Sequence, residues 1–552
     1  MQRLAPVRSP FTIPLVVIVL FLSACVPFQG QPGQPGQPGQ RIQPGQPGFS
    51  APIAVIGPAP SRIDPRGSAL QGSIIEMTTR TAGPAPTVAT WQYISGAEAF
   101  NNRLDDRLLG IFDARAGGRH QAAALPATPG ALVADGVSIT HELVLAAGSV
   151  VGSRFVQTTM NDGVRTGLVQ EVTYEDLTTG AVTSSAALIN PAMTGSLRAM
   201  LGNAISPVSA TSTPAPAATL SPSPAATLST TPAATLSTTP AATLSTTPAP
   251  APGSFDDAAL LTAVVITPDG NLSVTIQQDP GTGSPLPRPL AVRLNAEATA
   301  DVLSPGGQAL RAAVIGAAVI GAAVISAAPF KAPQPSPDAE AHINCDLVAC
   351  AALTYDDGPN AQTTRLLAIL AKHKVLATFF QQGGYVRASP SVAKAVATAG
   401  HTIGNHTMSH PNLSKLPPAG IAAEVQGATN VIEAATGTAP AYVRPPYGAT
   451  NSSVAASVGL PQILWDVDSL DWQSRNKAVF IPRIMNLVKP GSIILLHDVH
   501  ASTVDGQAEL ITRLKGKGFH LVTLPQLFKG IELKPGASYK CRGTAPGCVA
   551  GR

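Results

Sequence analysis

The chain has 552 residues, of which 12% are charged and 4% aromatic, and its formal net charge at pH 7 is +4. This small charge, without a basic cluster interleaved with aromatic residues, argues against a nucleic-acid partner. The length allows two or three domains, but 50 glycines and 52 prolines indicate long low-complexity segments rather than one large globule.

Residues 1–24 have the pattern of an export signal. Arg3 and Arg8 precede an apolar run at 11–22, which is short for a membrane-spanning helix. The run ends in Leu-Ser-Ala before Cys25 and resembles a bacterial lipobox, in which the cysteine is acylated and becomes the new N-terminus. The alternative is an ordinary secretory signal that happens to contain a cysteine. Lipid chains on Cys25 would anchor a lipoprotein to the outer face of the bacterial cell membrane.

Two repeats predict disordered linkers. Gln-Pro-Gly repeats fill much of 25–50, and an eight-residue repeat with proline in each unit occupies 207–252. Proline at this frequency blocks both helix and sheet.

The repeat at 207–252 interrupts residues 51–310, where we predict a small α+β accessory domain. Apolar residues four apart predict a helix at 97–112, and apolar runs predict strands at 138–145 and 167–174. A turn between two apolar runs predicts a hairpin at 261–276.

Residues 311–342 combine Ala-Ala-Val-Ile-Gly repeats with a proline-rich stretch. The uncharged part, 312–330, has the length of a membrane span. We favour a short helix or interdomain linker, because alanine and glycine are weakly apolar. A crossing would also move the C-terminal domain to the opposite side from the lipid anchor.

From residue 343 to 530, strand-like runs alternate with helical patterns. The predicted strands are 348–355, 377–380, 401–404, 441–443, 462–465 and 492–496, and the predicted helices are 363–373, 392–399, 421–436, 480–488 and 507–515. This alternation predicts a parallel α/β barrel or sheet. Such folds place their chemistry at the carboxyl ends of the strands.

Two adjacent carboxylates and two histidines form the most informative pattern in the chain. Asp356 and Asp357 end the first of these strands, and His406 and His410 follow the third. One aspartate and two histidines can hold a Zn²⁺-like ion and leave one position open for water. The second aspartate is then free to act as a general base on that water.

Five motifs in order resemble the polysaccharide deacetylase family, also called carbohydrate esterase family four, which includes nodulation-type chitooligosaccharide deacetylases. They are Thr-Tyr-Asp-Asp-Gly-Pro at 354–359, His-Thr-Met-Ser-His at 406–410, Arg-Pro-Pro-Tyr-Gly at 444–448, Asp-Ser-Leu-Asp-Trp at 468–472 and Leu-Leu-His-Asp at 495–498. Tyr355 departs from the pattern, since phenylalanine is commoner there. The resemblance implies a distorted (β/α) barrel of seven or eight strands that depends on Zn²⁺ or another divalent transition metal such as Co²⁺.

The resemblance also implies roles for the residues that bind metal and activate water. Asp357, His406 and His410 correspond to the metal ligands. Asp356 corresponds to the general base. Arg444 corresponds to the residue that keeps Asp356 charged and oriented.

Five further residues correspond to the acid and to the substrate pocket. His497 is implied as the general acid that protonates the leaving amine, and Asp471 as the carboxylate that keeps it charged. The backbone N–H of Tyr447 is implied as the donor to the oxyanion. Trp472 and Leu495 are implied as walls of the pocket for the acetyl methyl group.

The segment at 174–183 resembles part of a small α+β domain found upstream of some bacterial deacetylases. If this holds, the repeat at 207–252 is an insertion within that domain rather than a boundary.

Four cysteines form two close pairs around the predicted catalytic domain. Cys345 lies five residues before Cys350, and Cys541 lies seven before Cys548, in a C-terminal tail at 531–552. Local disulfides in an oxidising compartment are the favoured interpretation. A four-cysteine zinc site is the alternative, although these spacings suit it poorly.

Together these features predict an exported, metal-dependent enzyme that removes N-acetyl groups from a polysaccharide. The expected partner is an acetylated glycan, either peptidoglycan or a chitin-like polymer, and the anchor makes peptidoglycan the nearest. Chitooligosaccharide or exopolysaccharide deacetylation, acetylxylan esterase activity and an inactive wall-binding lipoprotein are the alternatives.

Overall fold

The computed structural model describes residues 54–57, 70, 72–209, 257–278, 285–315 and 342–551. The predicted export signal, Cys25, the Gln-Pro-Gly spacer, nearly all of the second repeat and most of 311–342 lie outside these residues. None of the helices within the described ranges is both long and apolar enough to span a bilayer.

The described part of the amino-terminal region, residues 54–57, 72–209, 257–278 and 285–315, contains two sheets, six α-helices and a short 3-10 helix at Pro191–Met193. Its strands are β1 Ala54–Gly57, β2 Ile74–Arg80, β3 Thr87–Ile94, β4 Gly136–Ala147, β5 Val150–Asn161, β6 Val164–Asp176, β7 Val182–Ser184, β8 Val264–Ile266, β9 Leu272–Gln278 and β10 Pro285–Leu294. Its helices are α1 Glu98–Ala116, α2 Ser185–Leu188, α3 Thr194–Ser209, α4 Asp257–Thr262, α5 Ala296–Val302 and α6 Pro305–Ile315. One sheet has the order β2-β3-β4-β5-β6-β7 and the other β1-β10-β9-β8. All neighbours are antiparallel except β3 and β4.

The helix predicted at 97–112 and the hairpin predicted at 261–276 are both confirmed. In α1, Phe100, Leu104 and Leu108 repeat every four residues and are buried, and the helix ends at the left-handed Gly117. The hairpin is formed by β8 and β9, and it starts later than predicted because α4 occupies the preceding residues.

Two predicted linker boundaries are wrong by a few residues. Helix α3 continues to Ser209, beyond the predicted start of the repeat at 207, because its buried Leu197, Leu201 and Ile205 form one helical face. Helix α6 likewise continues past 310, where Val314 is fully buried. Both helices belong to one hydrophobic cluster, so the segments before and after the repeat fold together.

The catalytic region, 342–551, alternates strands and helices. Its strands are β11 Cys350–Asp356, β12 Thr378–Gln381, β13 Thr402–Asn405, β14 Gln462–Ile463, β15 Val467–Asp468, β16 Ser492–His497, β17 His520–Val522, β18 Ser538–Tyr539, β19 Cys541–Arg542 and β20 Cys548–Val549. Its helices are α7 Ala361–His373, α8 Gly383–Ala388, α9 Pro390–Thr398, α10 Pro418–Thr436, α11 Ser452–Ser457, α12 Asp471–Ser474, α13 Lys477–Leu487, α14 Ala501–Gly516 and α15 Leu524–Leu527.

The predicted parallel α/β arrangement is confirmed. Strands β13, β12, β11, β16 and β15 pair side by side in parallel, and β17 pairs with the first half of β11. Single bridges from Asn405 to Val443 and from Val443 to Gln462 extend the arc to β14. No recorded pair within the described residues joins β14 to β15, so the sheet is an open, barrel-like arc.

The prediction of a strand at 441–443 is wrong, since only Val443 makes a bridge there. Pro440 and Pro445 flank this segment, and proline cannot donate to a ladder of hydrogen bonds.

Residues 531–552 are predicted as a tail, but the described part, 531–551, packs into the catalytic region. Strand β18 pairs with β14, and β19 pairs with β16. Arg542, which is largely buried, lies 2.7 Å from Asp346 in an ion pair. The described C-terminal segment is therefore part of the catalytic sheet.

The two regions share one buried apolar cluster. Trp91 and Phe112 of the amino-terminal region belong to the same cluster as Val348 and Leu527 of the catalytic region. The backbone passes so close that a Cβ on Gly518 would lie 2.6 Å from the carbonyl of Leu125.

Candidate active site

Asp357, His406 and His410 meet at the carboxyl edge of the parallel sheet. Strand register brings them together, because β11 and β13 both flank β12 and both end at this edge. Asp357 Oδ1 lies 3.5 Å from His406 Nε2 and 3.3 Å from His410 Nε2. The candidate ligand atoms of the three residues all lie within 4.8 Å of one another.

The loop that carries the histidines is held in an uncommon backbone conformation. Thr407 and His410 both have φ of 64°, in the left-handed region. The side chain of Asn405 accepts a hydrogen bond from the Thr407 N–H at 2.7 Å, and Thr407 Oγ1 accepts one from the His410 N–H at 3.1 Å. Sequence reasoning did not identify Asn405, whose only signal is its position directly before His406.

The tautomer of His406 suits metal binding. Its Nδ1 lies 2.7 Å from the carbonyl oxygen of Arg444. A carbonyl only accepts, so Nδ1 carries a hydrogen, and in the neutral ring that a metal requires Nε2 presents a lone pair, whereas in the protonated, metal-free ring Nε2 donates to Asp357. Burial tends to raise the pKa of Asp357, but the hydrogen bond and charge of His406, with the nearby histidines, lower it to about 2. A carboxylate and two imidazoles fit a divalent transition metal.

Asp356 lies beside this cluster and is paired with Arg444. The Nη1 of Arg444 donates to Asp356 Oδ1 at 2.7 Å, and both side chains are buried. Asp356 Oδ2 lies 3.7 Å from His406 Nε2. The second oxygen of Asp356 therefore faces the candidate metal site, while the first is fixed by the guanidinium.

The surroundings of Arg444 hold it in one position. Its guanidinium carbon lies 4.1 Å from the ring centre of Phe380 and 5.6 Å from that of Trp465. Its remaining contacts are hydrogen bonds to Thr354 Oγ1 and to the carbonyls of Ile463 and Leu464. A fully buried arginine needs this complete set of acceptors, because leaving the charge unpaired is strongly destabilising.

His497 lies on the opposite side of β11 from the histidine loop. It ends β16 in register with Asp356, and its Nδ1 lies 2.9 Å from Asp471 Oδ1. Burial would lower the pKa of His497, but the hydrogen bond and charge of Asp471, with smaller effects of Asp356 and Asp357, raise it to about 9. The imidazole is therefore protonated at neutral pH.

The carboxylate of Asp471 accepts four hydrogen bonds. Besides the His497 ring, it accepts from the His497 backbone N–H at 2.9 Å, Ser469 Oγ at 2.8 Å and Thr503 Oγ1 at 2.6 Å. Burial tends to raise the pKa of Asp471, but His497 and the two hydroxyls hold it below its usual range. Sequence reasoning did not identify Ser469 or Thr503.

Tyr447, Trp472 and Leu495 differ in exposure. Tyr447 has φ of 61° and a side chain that is 70% exposed, with its ring centre 4.8 Å from that of His410. Trp472 is 46% exposed. Leu495 is buried, but the cluster that contains its neighbours Ile494 and Leu496 does not include it. The placement of all three at the carboxyl edge is compatible with lining a substrate cleft.

Asp498 braces the loop of the aspartate pair. Its Oδ2 accepts from Thr363 Oγ1 at 2.5 Å, and a Cβ on Gly358 would lie 2.5 Å from that oxygen. Burial, with the charges of Asp357 and Asp356, raises the pKa of Asp498 to about 7. His500 is also near, with its ring centre 5.9 Å from that of His497.

The four described cysteines lie apart from this cluster. The structure contains disulfides between Cys345 and Cys350 and between Cys541 and Cys548. Cys350 begins β11, whereas Asp356 ends it, so the first disulfide lies at the opposite end of the strand from the metal ligands.

Comparison with known proteins gives consistent matches over the catalytic region. The family model described as polysaccharide deacetylase matches residues 345–463. A peptidoglycan-N-acetylmuramic acid deacetylase, PdaC of Bacillus subtilis, is 39% identical over 177 residues, which are 32% of this chain and 38% of that protein. A peptidoglycan-N-acetylglucosamine deacetylase, PgdA of Listeria monocytogenes, is 36% identical over 34% of this chain and 40% of that protein.

A third relative is matched over most of its length. The chitooligosaccharide deacetylase of Bradyrhizobium sp. is 36% identical over 194 residues, which cover 32% of this chain and 89% of that protein. The chain spans about two fifths of the first two relatives, 38% and 40%. The match to the rhizobial protein is nevertheless almost complete, and the chain belongs to the polysaccharide deacetylase family.

Proposed function

We propose that this chain is a metal-dependent N-deacetylase that hydrolyses the acetamido groups of an extracellular polysaccharide. One observation carries the proposal. Two fixed groups lie next to the Asp-His-His cluster. Asp356, held by the buried Arg444, lies 3.7 Å from His406, and His497, held by the buried Asp471, ends the adjacent strand in register with Asp356. A base and an acid in these positions can act on the two ends of one hydrolysed bond.

Asp356 is the general base in this proposal. Arg444 holds one of its oxygens, so the other, near His406, is free to take a proton from the attacking water. Asp357, His406 and His410 would hold the metal. When bound, the metal supplies positive charge that polarises the acetyl carbonyl and acidifies the water. The backbone N–H of Tyr447 would donate to the developing oxyanion, with Trp472 and Leu495 around the acetyl methyl group.

His497 favours an amide over an ester as the scissile bond. An amine is a poor leaving group unless it is protonated, and the raised pKa of His497, about 9, keeps a proton available at neutral pH. Asp471 fixes the ring so that Nε2 carries the transferable proton.

Peptidoglycan is the polymer that we propose. The names of the PdaC and PgdA relatives assign both to peptidoglycan, one to N-acetylmuramic acid and the other to N-acetylglucosamine. Chitin oligomers are the second candidate, because the name of the Bradyrhizobium relative assigns it to chitooligosaccharides and its match is almost complete.

We further propose Zn²⁺ as the metal, with Co²⁺ as a substitute, and a distorted barrel of seven or eight strands. The ligand set supports the metal and the parallel arc supports the barrel.

For location, we propose a lipoprotein on the outer face of the membrane. Support comes from Cys25 after Leu-Ser-Ala and from the Gln-Pro-Gly spacer, which would let the enzyme reach into the wall.

The test is acetate release by the full chain from peptidoglycan, chitin oligomers and acetylxylan. We expect release from peptidoglycan, loss with a chelator and recovery on adding Zn²⁺. Acetate release from chitin oligomers or acetylxylan alone would show that peptidoglycan is not the substrate. Acetate release that resists the chelator would refute the metal site.

A second test separates the base from the ligands. Asp356→Asn should lower the rate by about 10²–10⁴-fold while the protein still binds one metal ion, measured by elemental analysis. Its unfolding should be measured in parallel, since the change leaves the buried Arg444 without its counter-charge. A folded variant with an unchanged rate would refute the assignment of Asp356.

A further inference from the structure

We propose that Tyr355 and Gln507 form a brace that positions the general acid by fixing Thr503 against Asp471. This inference rests on the proposed deacetylase function. It concerns Tyr355, which directly precedes Asp356 in the sequence.

Tyr355 links the catalytic strand to helix α14. It precedes Asp356 in β11, and because side chains alternate along a strand, its ring lies on the face opposite the active site. The hydroxyl donates to Gln507 Oε1 at 2.7 Å, and both side chains are fully buried.

The orientation of the Gln507 amide is fixed. Its Nε2 donates to the carbonyl oxygen of Thr503 at 2.9 Å. A carbonyl can only accept, so the amide nitrogen must face Thr503 and the amide oxygen must face Tyr355. The Tyr355 hydroxyl therefore supplies the donor that the amide oxygen of Gln507 needs in this single orientation.

Thr503 carries the brace to the acid. It lies in the first turn of α14, and its Oγ1 donates to Asp471 Oδ2 at 2.6 Å. The other oxygen of Asp471 contacts the His497 ring. A buried path of hydrogen bonds thus runs from Tyr355, the neighbour of the proposed base, to Asp471. Asp471 in turn holds the proposed acid, His497.

In this arrangement Tyr355 and Gln507 depend on each other. With phenylalanine at 355, Gln507 Oε1 would be buried without a donor, which is unfavourable. An apolar residue at 507 would remove that problem but would also remove the link to Thr503. The brace is therefore a positioning element and not a catalytic residue, since neither side chain reaches the reacting atoms.

The test compares Tyr355→Phe, the double variant Tyr355→Phe/Gln507→Leu and the wild type, all as full chains. Two substrates are used: the acetylated glycan, whose amine needs a proton from His497, and 4-nitrophenyl acetate, whose phenolate leaves without one. We expect both variants to lose about tenfold in kcat on the glycan, with KM and ester hydrolysis unchanged. The double variant should regain the free energy of unfolding that the single variant loses.

Tyr174→Phe is the matched control. Tyr174 is also buried, and its hydroxyl accepts the Ile266 N–H at 2.7 Å in the amino-terminal region. This change should lower stability without altering the ratio of amide to ester rates. A control that shifts the ratio as much as Tyr355→Phe would overturn the brace, as would a double variant with wild-type glycan kcat.

The proposed function and the brace can fail separately. A wild type that releases no acetate from any acetylated glycan refutes the function. The brace is then judged by the NMR resonance of the Nδ1 proton between His497 and Asp471. That resonance should shift in both variants, and an unshifted resonance would overturn the brace.

Discussion

The amino-terminal and catalytic regions both bury apolar clusters, but the candidate metal ligands among the described residues all lie in the catalytic region. Among the described residues, the cluster suited to a metal ion consists of Asp357, His406 and His410, all in the catalytic region. The amino-terminal region instead contributes large buried side chains such as Trp91 and Phe112. The difference follows from strand direction. Parallel strands bring their carboxyl ends to one edge, whereas antiparallel strands distribute them over both.

The contact between the regions lies away from the chemistry. Val348, two residues before β11, belongs to the shared cluster, whereas Asp356 ends that strand at the active site. Thr79 Oγ1 also donates to the buried carbonyl of Leu347 at 3.2 Å. The amino-terminal region therefore packs against the end of the catalytic sheet at which β11 begins, opposite the active site. We expect substitutions in the active site to lower activity, and substitutions in the shared cluster to lower stability without altering catalysis.

The largest expected effect is on activity. His410→Ala removes a candidate metal ligand whose side chain is only partly buried, so acetate release should fall by at least about 10³-fold while the metal-free protein keeps its stability. Metal stoichiometry, acetate release and urea unfolding in the presence of a chelator are the measurements. Retained metal and activity would show that this histidine is not a ligand.

The second effect is on stability. Trp91→Ala empties a fully buried site in the shared cluster and should lower the free energy of unfolding by about 3–5 kcal/mol. Catalysis per folded molecule should be unchanged at low temperature. Leu132→Ala, at a side chain that is 71% exposed, is the control and should change neither quantity. A loss of kcat in the folded Trp91 variant would contradict the separation of the two regions.

The third effect is a shift in pH dependence. The acid works only when His497 is protonated, so the rate should fall as pH rises through its pKa, about 9, or lower when metal charge is present. Asp471→Asn removes the charge that raises this pKa. The alkaline limb should then move down by about one unit or more in a profile of kcat/KM. An unmoved limb would show that another group controls it.

The same pair affects stability in the metal-free protein. The pKa of His497 is raised from 6.5 to about 9 on folding, so its contribution is present below pH 6.5 and is lost as pH rises towards 9. A shift of this size corresponds to about 3 kcal/mol. Unfolding of the wild type should therefore weaken over this pH range more than that of Asp471→Asn.

The sequence predicted the candidate site residues better than it predicted the residues that hydrogen-bond to them. Asp356, Asp357 and the two histidines were predicted from their types and spacing, and the structure brings them together at one edge of the sheet. Asn405, Ser469 and Thr503 were missed, since a buried asparagine or hydroxyl has no sequence pattern of its own. The strand at 441–443 was also wrong, because one bridge between prolines is too short to form a ladder.

Boundaries were less predictable than elements. The predicted C-terminal tail proved to be part of the catalytic sheet, where β19 pairs with β16. Its two-residue strands are too short for any periodicity, so only the neighbouring strand could reveal them. Helices α3 and α6 likewise extend past the predicted limits, because buried faces rather than repeat composition determine where they end.

The sequence by itself determined the family, the candidate metal ligands and the alternation of strands and helices, because these depend on residue type and local spacing. Only the tertiary structure decided which groups hold them in place. Arg444 is fixed by carbonyls of β14 and the residue after it, and Thr503 reaches Asp471 from another helix. Such contacts join residues far apart in the chain, and hydrogen-bond geometry rather than composition selects them.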